Sequence, residues 1–293
     1  MNLFWIYSVL GCLPRNARVS RGEPLDSAWI EEQPIVEPSE PSEEEPIKLP
    51  PNAICYDLPE NVELLNQPFS FDGSDSFDPD GEELTYFWDL KRKPPGSAAL
   101  ISNVNEKSTT FRPDLTGQYI AQLEVTNQSG LTDTCKYVFS ATPEQGIWVE
   151  LYWDLLQDDI ALHLLTSHAS NYDNWFNIFQ NEDCNDTNCT EGLEWGDSAT
   201  KEDNPYIIFN SANPTGPQVI YIEKPQADVY QVVVQDRNSN SESNLNATNQ
   251  LHINVYLSGE LRFRSENIEA PAEGTYEKIV DIDIANNDVR EIP

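Results

Sequence analysis

The feature that most constrains this chain is a long series of short segments in which apolar and polar residues alternate. Alternation with a period of two is typical of β-strands, and the Gly, Pro, Asn and Asp residues between the segments are typical of turns. The first segments are Leu84–Leu90, Gly117–Thr126 and Thr134–Ser140. The later ones are Gly146–Trp153, Ile160–Leu165, Tyr206–Asn210, Gln218–Ile222, Val229–Gln235, Leu251–Leu257, Glu260–Phe263 and Tyr276–Ile284. We therefore expect an all-β fold.

The spacing of these segments predicts two consecutive β-sandwich domains. A chain of 293 residues is long enough for two domains at about 100–200 residues each. We place the first sandwich at residues 51–143 and a second, jelly-roll-like sandwich at residues 146–285, followed by a tail at 286–293.

The charge of the chain excludes several classes of partner. It has 17 Lys+Arg against 50 Asp+Glu, a formal net charge of −33. Nucleic-acid binding needs positive groups to neutralise phosphates, and docking on anionic lipid needs a basic patch. We therefore expect no nucleic-acid partner and no membrane contact through the folded domains.

The N-terminus combines a short apolar run, Leu3–Gly11, with Cys12. The sequence Ser8–Cys12 (SVLGC) resembles a bacterial lipobox, although no Lys or Arg precedes the apolar run. The resemblance implies a signal at 1–12, a lipid on Cys12, and a lipoprotein of the bacterial outer membrane or cell surface that contacts the membrane only through this anchor. The alternatives are a wrongly assigned start and a buried N-terminal strand.

An acidic, proline-rich segment follows at residues 13–50. Pro favours extended backbone and repulsion between Glu residues stretches the chain further. This composition predicts a disordered tether that holds the folded domains away from an anchor; the alternative is a disordered tail with no spacer role.

The remaining four cysteines can form two disulfides in an oxidising compartment. We expect Cys55–Cys135 and Cys184–Cys189, because each pair falls within one predicted domain. A zinc site at Cys184 and Cys189 is the competing interpretation, but no second Cys/His pair lies nearby in the sequence.

Six motifs of the first domain resemble the PKD family. They are Phe71–Gly81 (FDGSDSFDPDG), Leu84–Leu90 (LTYFWDL), Lys93–Ala98 (KPPGSA), Thr110–Asp114 (TFRPD), Gly117–Tyr119 (GQY) and Leu123–Gly130 (LEVTNQSG). The resemblance implies an immunoglobulin-like sandwich used outside cells for adhesion, spacing or contact with carbohydrate and protein. Trp88 is expected in the core between the sheets.

Asp78 and Asp80 place two oxygen ligands two residues apart on a tight turn, a pattern that suits Ca²⁺. Some bacterial PKD domains bind calcium with a D-x-D of this kind, so the resemblance implies a calcium site at Asp78 and Asp80, with Asp72 as a further ligand. The alternative is a turn in which these side chains cap backbone amides.

The second domain is similar to an uncharacterised β-domain that follows PKD domains in bacterial secreted proteins. The similarity rests on Val149–Asp154, Asp159–Leu165, Trp175–Phe176 and Asp183–Cys184, with Ala161 where an Asp is common. Its aromatic residues form either a sugar-stacking platform or part of the core. The candidates for the platform are Trp148, Tyr152, Trp175, Phe176 and Trp195.

No motif typical of an enzyme is present. The chain lacks a G-x-S-x-G elbow, an H-E-x-x-H pair and a phosphate loop, and His163 and His252 lie within strand patterns that favour structural roles. We therefore predict a non-catalytic extracellular lipoprotein that binds a glycan or a protein. The alternatives are an accessory or catalytic domain of a secreted hydrolase or protease system, and a structural spacer.

Overall fold

The computed structural model describes most of the chain from residue 46 onward. The described residues are 46–58, 61–63, 68–155, 159–171, 180–189, 193–197, 199–210, 215–237, 249–265 and 268–293. Residues Ile47–Pro293 form one compact unit. Among the described residues, no helix is long and apolar enough to cross a membrane. Cys12 and most of the predicted tether lie outside the described ranges.

The first half of the compact unit contains two facing β-sheets. Its described strands are β1 (Asn61–Glu63), β2 (Phe69–Asp72), β3 (Thr85–Arg92), β4 (Ser108–Phe111), β5 (Gly117–Thr126) and β6 (Thr132–Thr142). One sheet has the order β1-β6-β5-β3 and the other pairs β2 with β4. Between them, Trp88 is buried and its ring stacks on that of Phe71, with 5.6 Å between the ring centroids. The structure confirms the expected core position of Trp88.

The second half contains two larger sheets. Its described strands are β7 (Ile147–Trp153), β8 (Ile160–Leu165), β9 (Asp183–Cys184), β10 (Tyr206–Asn210), β11 (Gln218–Ile222), β12 (Val229–Asp236), β13 (Gln250–Leu257), β14 (Glu260–Arg264), β15 (Ile268–Glu269), β16 (Tyr276–Asp283) and β17 (Asp288–Glu291). Two single-turn 3₁₀ helices span Ala169–Asn171 and Gln180–Glu182. One sheet has the order β10-β11-β7-β13-β14, with β15 also paired to β13, and the other has the order β17-β16-β12-β8-β9.

Strand β7 joins the two halves because both of its faces are buried. Ile147, Val149 and Leu151 point into the core of the second half. Trp148, on the opposite face, belongs to the same apolar cluster as the core of the first half, together with Tyr221 of β11. Part of the outer face of the β10-β11-β7-β13-β14 sheet is thus covered by the first half, and the two halves share one apolar cluster.

The structure confirms the all-β, β-sandwich fold class. Four strands, β5, β8, β10 and β11, have the bounds that the alternating pattern predicts. One difference lies at the C-terminus, where the predicted tail (286–293) includes β17. This strand pairs antiparallel with β16, with Val289 opposite Ile282. Val289 and Ile282 contribute to the core of the second half, which explains why the segment is ordered as a strand.

Candidate functional site

A cleft of about 440 Å³ lies where the two halves meet. Strands β7, β13 and β14 form one wall, and loops of the first half form the other. Its lining includes Pro94, Pro95, Thr116, Glu150, Tyr152, His252, Asn254 and Arg264. A cleft of this size with aromatic walls and a few polar groups is typical of small-ligand and sugar sites.

Two aromatic side chains form a stacked pair in this cleft. Tyr152 of β7 and His252 of β13 are direct cross-strand neighbours. Their ring centroids lie 4.6 Å apart and their planes differ by 13°. His252 Nε2 also lies 2.9 Å from Asp154 Oδ1, which holds the imidazole in place. The pair is therefore a fixed aromatic surface, because each ring is restrained by its neighbours.

Gly96 restrains the Tyr152 ring from the other half of the molecule. It has a φ of +76°, in the left-handed region that favours glycine, and a β carbon at this position would overlap Cδ2 and Cγ of Tyr152. Gly96 belongs to the KPPGSA motif, so this turn of the first half packs against an aromatic ring of the second half.

Glu150 lies beneath the cleft and is fully buried, with 0% of its surface exposed. Its Oε1 accepts hydrogen bonds from Thr116 N at 2.7 Å and Trp148 Nε1 at 3.1 Å. Its Oε2 accepts hydrogen bonds from Thr116 Oγ1 and Asn254 Nδ2, both at 3.0 Å. Burial raises the pKa of Glu150, and these hydrogen bonds offset only part of that rise. Because Thr116 belongs to the first half, this carboxylate links the two halves.

Arg264 continues this hydrogen-bonded chain to the surface of the cleft. Its Nε donates to Asn254 Oδ1 at 3.0 Å, while the amide nitrogen of Asn254 donates to Glu150. Asn254 therefore orients the guanidinium through an amide that is itself fixed. Burial raises the pKa of Tyr152 and the charge of Arg264 lowers it, so Arg264 lies close enough to influence that phenol.

The predicted aromatic platform does not exist as one surface. Trp148 is fully buried and donates its indole N–H to Glu150, so that prediction of an exposed stacking residue is wrong. Trp195 is 5% exposed and stacks on Tyr230 within the second core, so the same correction applies. Tyr152 reaches the cleft. Trp175 and Phe176 lie outside the described residues.

The predicted calcium turn makes hydrogen bonds with its own chain. Asp78 Oδ1 accepts from Asp80 N at 2.9 Å and Glu82 N at 3.1 Å, and its Oδ2 accepts from Asn127 Nδ2 at 2.9 Å. Burial raises the pKa of Asp78, but these three hydrogen bonds outweigh it and the net shift is downward. This geometry fits the alternative in which Asp78 caps the turn.

The other two predicted ligands also accept protein hydrogen bonds. Asp80 Oδ2 accepts from Leu49 N at 2.9 Å, and Asp72 Oδ1 accepts from Ser74 N and Ser108 Oγ. Among the residues with described coordinates, no group of three or more Asp, Glu, His or Cys side chains is arranged to hold a metal ion. Calcium binding at Asp72, Asp78 and Asp80 stays a prediction.

The same turn fastens the segment that leads into the first sandwich. Lys48 Nζ lies 2.9 Å from Glu82 Oε1, and Glu82 also accepts hydrogen bonds from Ser129 N and Oγ, both at 2.8 Å. Asn127 Nδ2 donates to Leu49 O at 3.2 Å. The hydrogen bond from Lys48, then those from Ser129, lower the pKa of Glu82 to about 2. We call this set of contacts the entry clasp.

We expect the entry clasp to weaken in acid. A carboxyl whose pKa is lower in the folded protein stabilises the fold above its unfolded pKa, and this stability is lost as the pH falls towards about 2. Wild type and Glu82→Gln should therefore differ most in free energy of unfolding near pH 6 and converge near pH 2. Denaturant unfolding at several pH values measures this difference. If the two proteins differed in free energy of unfolding by the same amount at pH 6 and at pH 2, the expected acid sensitivity of the entry clasp would be contradicted.

The two expected disulfides are present. Cys55 and Cys135 are bonded, with 5.7 Å between their Cα atoms, and Cys184 and Cys189 are bonded, with 4.9 Å between theirs. Because the last two sulfurs are bonded to each other, the competing zinc interpretation is wrong. His163 is buried with its Nδ1 2.9 Å from Asp183 Oδ1, a position in the core that agrees with a structural role.

Sequence reasoning missed Glu150, Arg264 and the cleft. The signal for Glu150 was present, since a Glu between Val149 and Leu151 interrupts an otherwise apolar strand. Arg264 has no comparable signal, because its position at the end of β14 becomes meaningful only when Asn254 and the cleft are known.

Comparisons with known proteins identify no family. No family model matches the chain and no curated protein matches it. The solved structures that it resembles include a nucleoside hydrolase-related hypothetical protein from Saccharophagus degradans associated with carbohydrate metabolism (21% identity, TM-score 0.29, 32% of this chain). They also include the PKD domain from the KIAA 1837 protein (23% identity, TM-score 0.26, 30% of this chain and 82% of that one). A third is a carbohydrate-binding module of the β-sandwich superfamily (13% identity, TM-score 0.27, 75% of this chain and 100% of that one).

This chain spans about a quarter of the first of these proteins, 26% of its length. All three TM-scores lie below 0.5, so these resemblances do not extend to function. The function therefore has to be argued from the residues of the cleft.

Proposed function

We propose that this protein is a non-catalytic, extracellular glycan-binding protein whose binding site is the cleft between the two halves. The observation that carries the proposal is the stacked pair of Tyr152 and His252 beside the planar polar groups of Asn254 and Arg264. Flat aromatic surfaces pack against the apolar face of a sugar ring, and fixed amide and guanidinium groups donate hydrogen bonds to its hydroxyl oxygens.

One structural feature supports the extracellular part of this assignment. The two disulfides indicate an oxidising compartment. The lipid anchor at Cys12 and the acidic tether belong to the proposal, since a tethered domain on a bacterial surface would meet extracellular glycans. Adhesion follows from the same arrangement if the glycan belongs to another surface.

The proposal is tested with the full chain on a panel of soluble polysaccharides, by affinity electrophoresis and then by calorimetry. We expect His252→Ala to weaken binding about tenfold, because aromatic stacking contributes about 0.5–1.5 kcal/mol beyond the area it buries. His252 is suited to this test because its side chain is 39% exposed. Tyr152→Phe keeps the ring and should bind nearly as wild type does.

Phe87→Ala is the matched control. Phe87 is an aromatic residue that is 48% exposed on β3, outside the cleft. Its replacement should leave glycan binding unchanged. Equal losses for Phe87→Ala and His252→Ala would place the site elsewhere, and no binding to any glycan by the folded protein would overturn the proposal.

A structural spacer is the second candidate, and the apolar contact between the two halves favours it. Trp148, Tyr221 and Tyr256 of the second half pack into the cluster of the first. A spacer benefits from such a stiff junction and needs no ligand, so a folded protein that retains no glycan in the experiment above would support this function.

A further inference from the structure

Arg264 makes no salt bridge among the described residues, although the chain is strongly acidic. Acidic residues outnumber basic ones by 50 to 17, and several other arginines are paired. Arg262 lies 3.1 Å from Glu260, and Arg237 lies 2.8 Å from both Asp159 and Asp186. Arg264 is exposed and lines the cleft, where the groups it contacts, Asn254 and Tyr256, are neutral.

The guanidinium of Arg264 is also oriented in advance. Its Nε is held by Asn254 Oδ1, and Asn254 is held by Glu150, which is fully buried. Glu150 does not neutralise Arg264 by direct contact, because both of its oxygens accept from other donors: Thr116, Trp148 and Asn254. The cleft therefore presents a fixed cation beside an aromatic surface.

We infer that the cleft selects glycans that carry a carboxylate, the class of the uronic acids, and that Arg264 is the residue that recognises this group. The inference rests on the proposed function, because it names the class of sugar for the same site. A guanidinium fork binds a carboxylate through two parallel hydrogen bonds, which are shorter and stronger than bonds to a neutral hydroxyl. The stacked Tyr152 and His252 would contact the sugar ring that carries the acid.

The net charge of the protein opposes the approach of any anion, so the conditions of the test matter. At an ionic strength of about 0.15 M, charges more than about 8 Å apart are largely screened, whereas a direct contact in the cleft is screened much less. We therefore place the measurements at this ionic strength.

The test compares each acid with its own neutral form. Hexamers of galacturonic, glucuronic and mannuronic acid are titrated into the full chain by calorimetry, together with their methyl esters, which keep the ring and remove the charge. We expect at least one acid to bind at least tenfold more tightly than its ester. In Arg264→Gln this preference should fall to about twofold or less, and Arg264→Lys should recover only part of it because it lacks the fork.

Arg262→Gln is the control, since Arg262 lies two residues earlier on the same strand, is paired with Glu260 and does not line the cleft. It should keep the full preference for the acid.

Each other outcome overturns a stated part of the argument. Equal binding of acid and ester that is lost in His252→Ala would overturn the inference and leave the proposed glycan function standing. If Arg264→Gln still preferred the acid to its ester, Arg264 would not be the residue that recognises the carboxylate. No binding of the acids or of any polysaccharide on the panel would overturn both. Binding only to a peptide with a free C-terminal carboxylate, added as a separate probe, would overturn the glycan class.

Discussion

Replacing Glu150 by alanine is expected to lower the free energy of unfolding by about 2–4 kcal/mol, because four donor groups lose the carboxylate that accepts their hydrogen bonds. Trp148 is fully buried, whereas Thr116 and Asn254 are half-buried and line the cleft. Thr116 N and Oγ1, Trp148 Nε1 and Asn254 Nδ2 all donate to this one carboxylate. Trp148 Nε1 would lose its acceptor in the buried interior, at a cost of about 1–3 kcal/mol, and the half-buried donors add less because water in the cleft can reach them.

Glu150→Gln separates the hydrogen bonds from the charge. Its carbonyl can still accept two of the donors, and its amide can donate to Thr116 Oγ1, so we expect a smaller loss, about 1–2 kcal/mol. The control is Glu277→Ala on the exposed side of β16, which should change stability by about 0.5 kcal/mol or less. Denaturant unfolding followed by tryptophan fluorescence measures all three. Similar values for Glu150→Ala and Glu277→Ala would contradict the role given to Glu150.

Removing the disulfide between Cys55 and Cys135 is expected to cost about 4–5 kcal/mol in the chain-entropy model, because the bond closes a loop of 80 residues. The bond between Cys184 and Cys189 spans 5 residues and should contribute about 2 kcal/mol. The double variants Cys55→Ala/Cys135→Ala and Cys184→Ala/Cys189→Ala therefore compare the loss of a bond that closes a long loop with the loss of one that closes a short loop.

Unfolding free energies of the two double variants give the comparison directly, and intact mass confirms that the remaining disulfide has formed in each. The larger loss should belong to the variant without Cys55 and Cys135. The opposite order would mean that side-chain packing decides the effect, since Cys184 and Cys189 are buried in the core of the second half, whereas Cys55 and Cys135 are half-buried.

The junction explains why the binding site and the stability of the protein depend on the same residues. Glu150 joins Thr116 of the first half to Trp148 and Asn254 of the second, and Asn254 orients Arg264. Gly96 and His252 restrain Tyr152 from different halves. A change that separates the two halves should therefore remove the cleft as well, so binding experiments on variants at the junction need a measurement of folding beside them.

Part of the candidate site could be anticipated from sequence. Tyr152 was among the aromatic candidates, and it lies in the cleft. Trp148 was proposed for the same surface on the same grounds, yet it is buried against the first half of the molecule. Alternation shows which residues of β7 share a face, and it cannot show whether that face meets water or another sheet.

The all-β fold, the bounds of strands such as β5 and β8, and the pairing of the four cysteines can be predicted from the amino-acid sequence alone. Each of these follows from local periodicity or from the division into two halves. Three features became known only from the folded structure: Asp78 caps a turn that holds the entry segment, Glu150 is buried at the junction, and Arg264 faces the cleft. Thr116, Glu150 and Asn254 are far apart along the chain and meet through packing between sheets, so no local pattern records their contact.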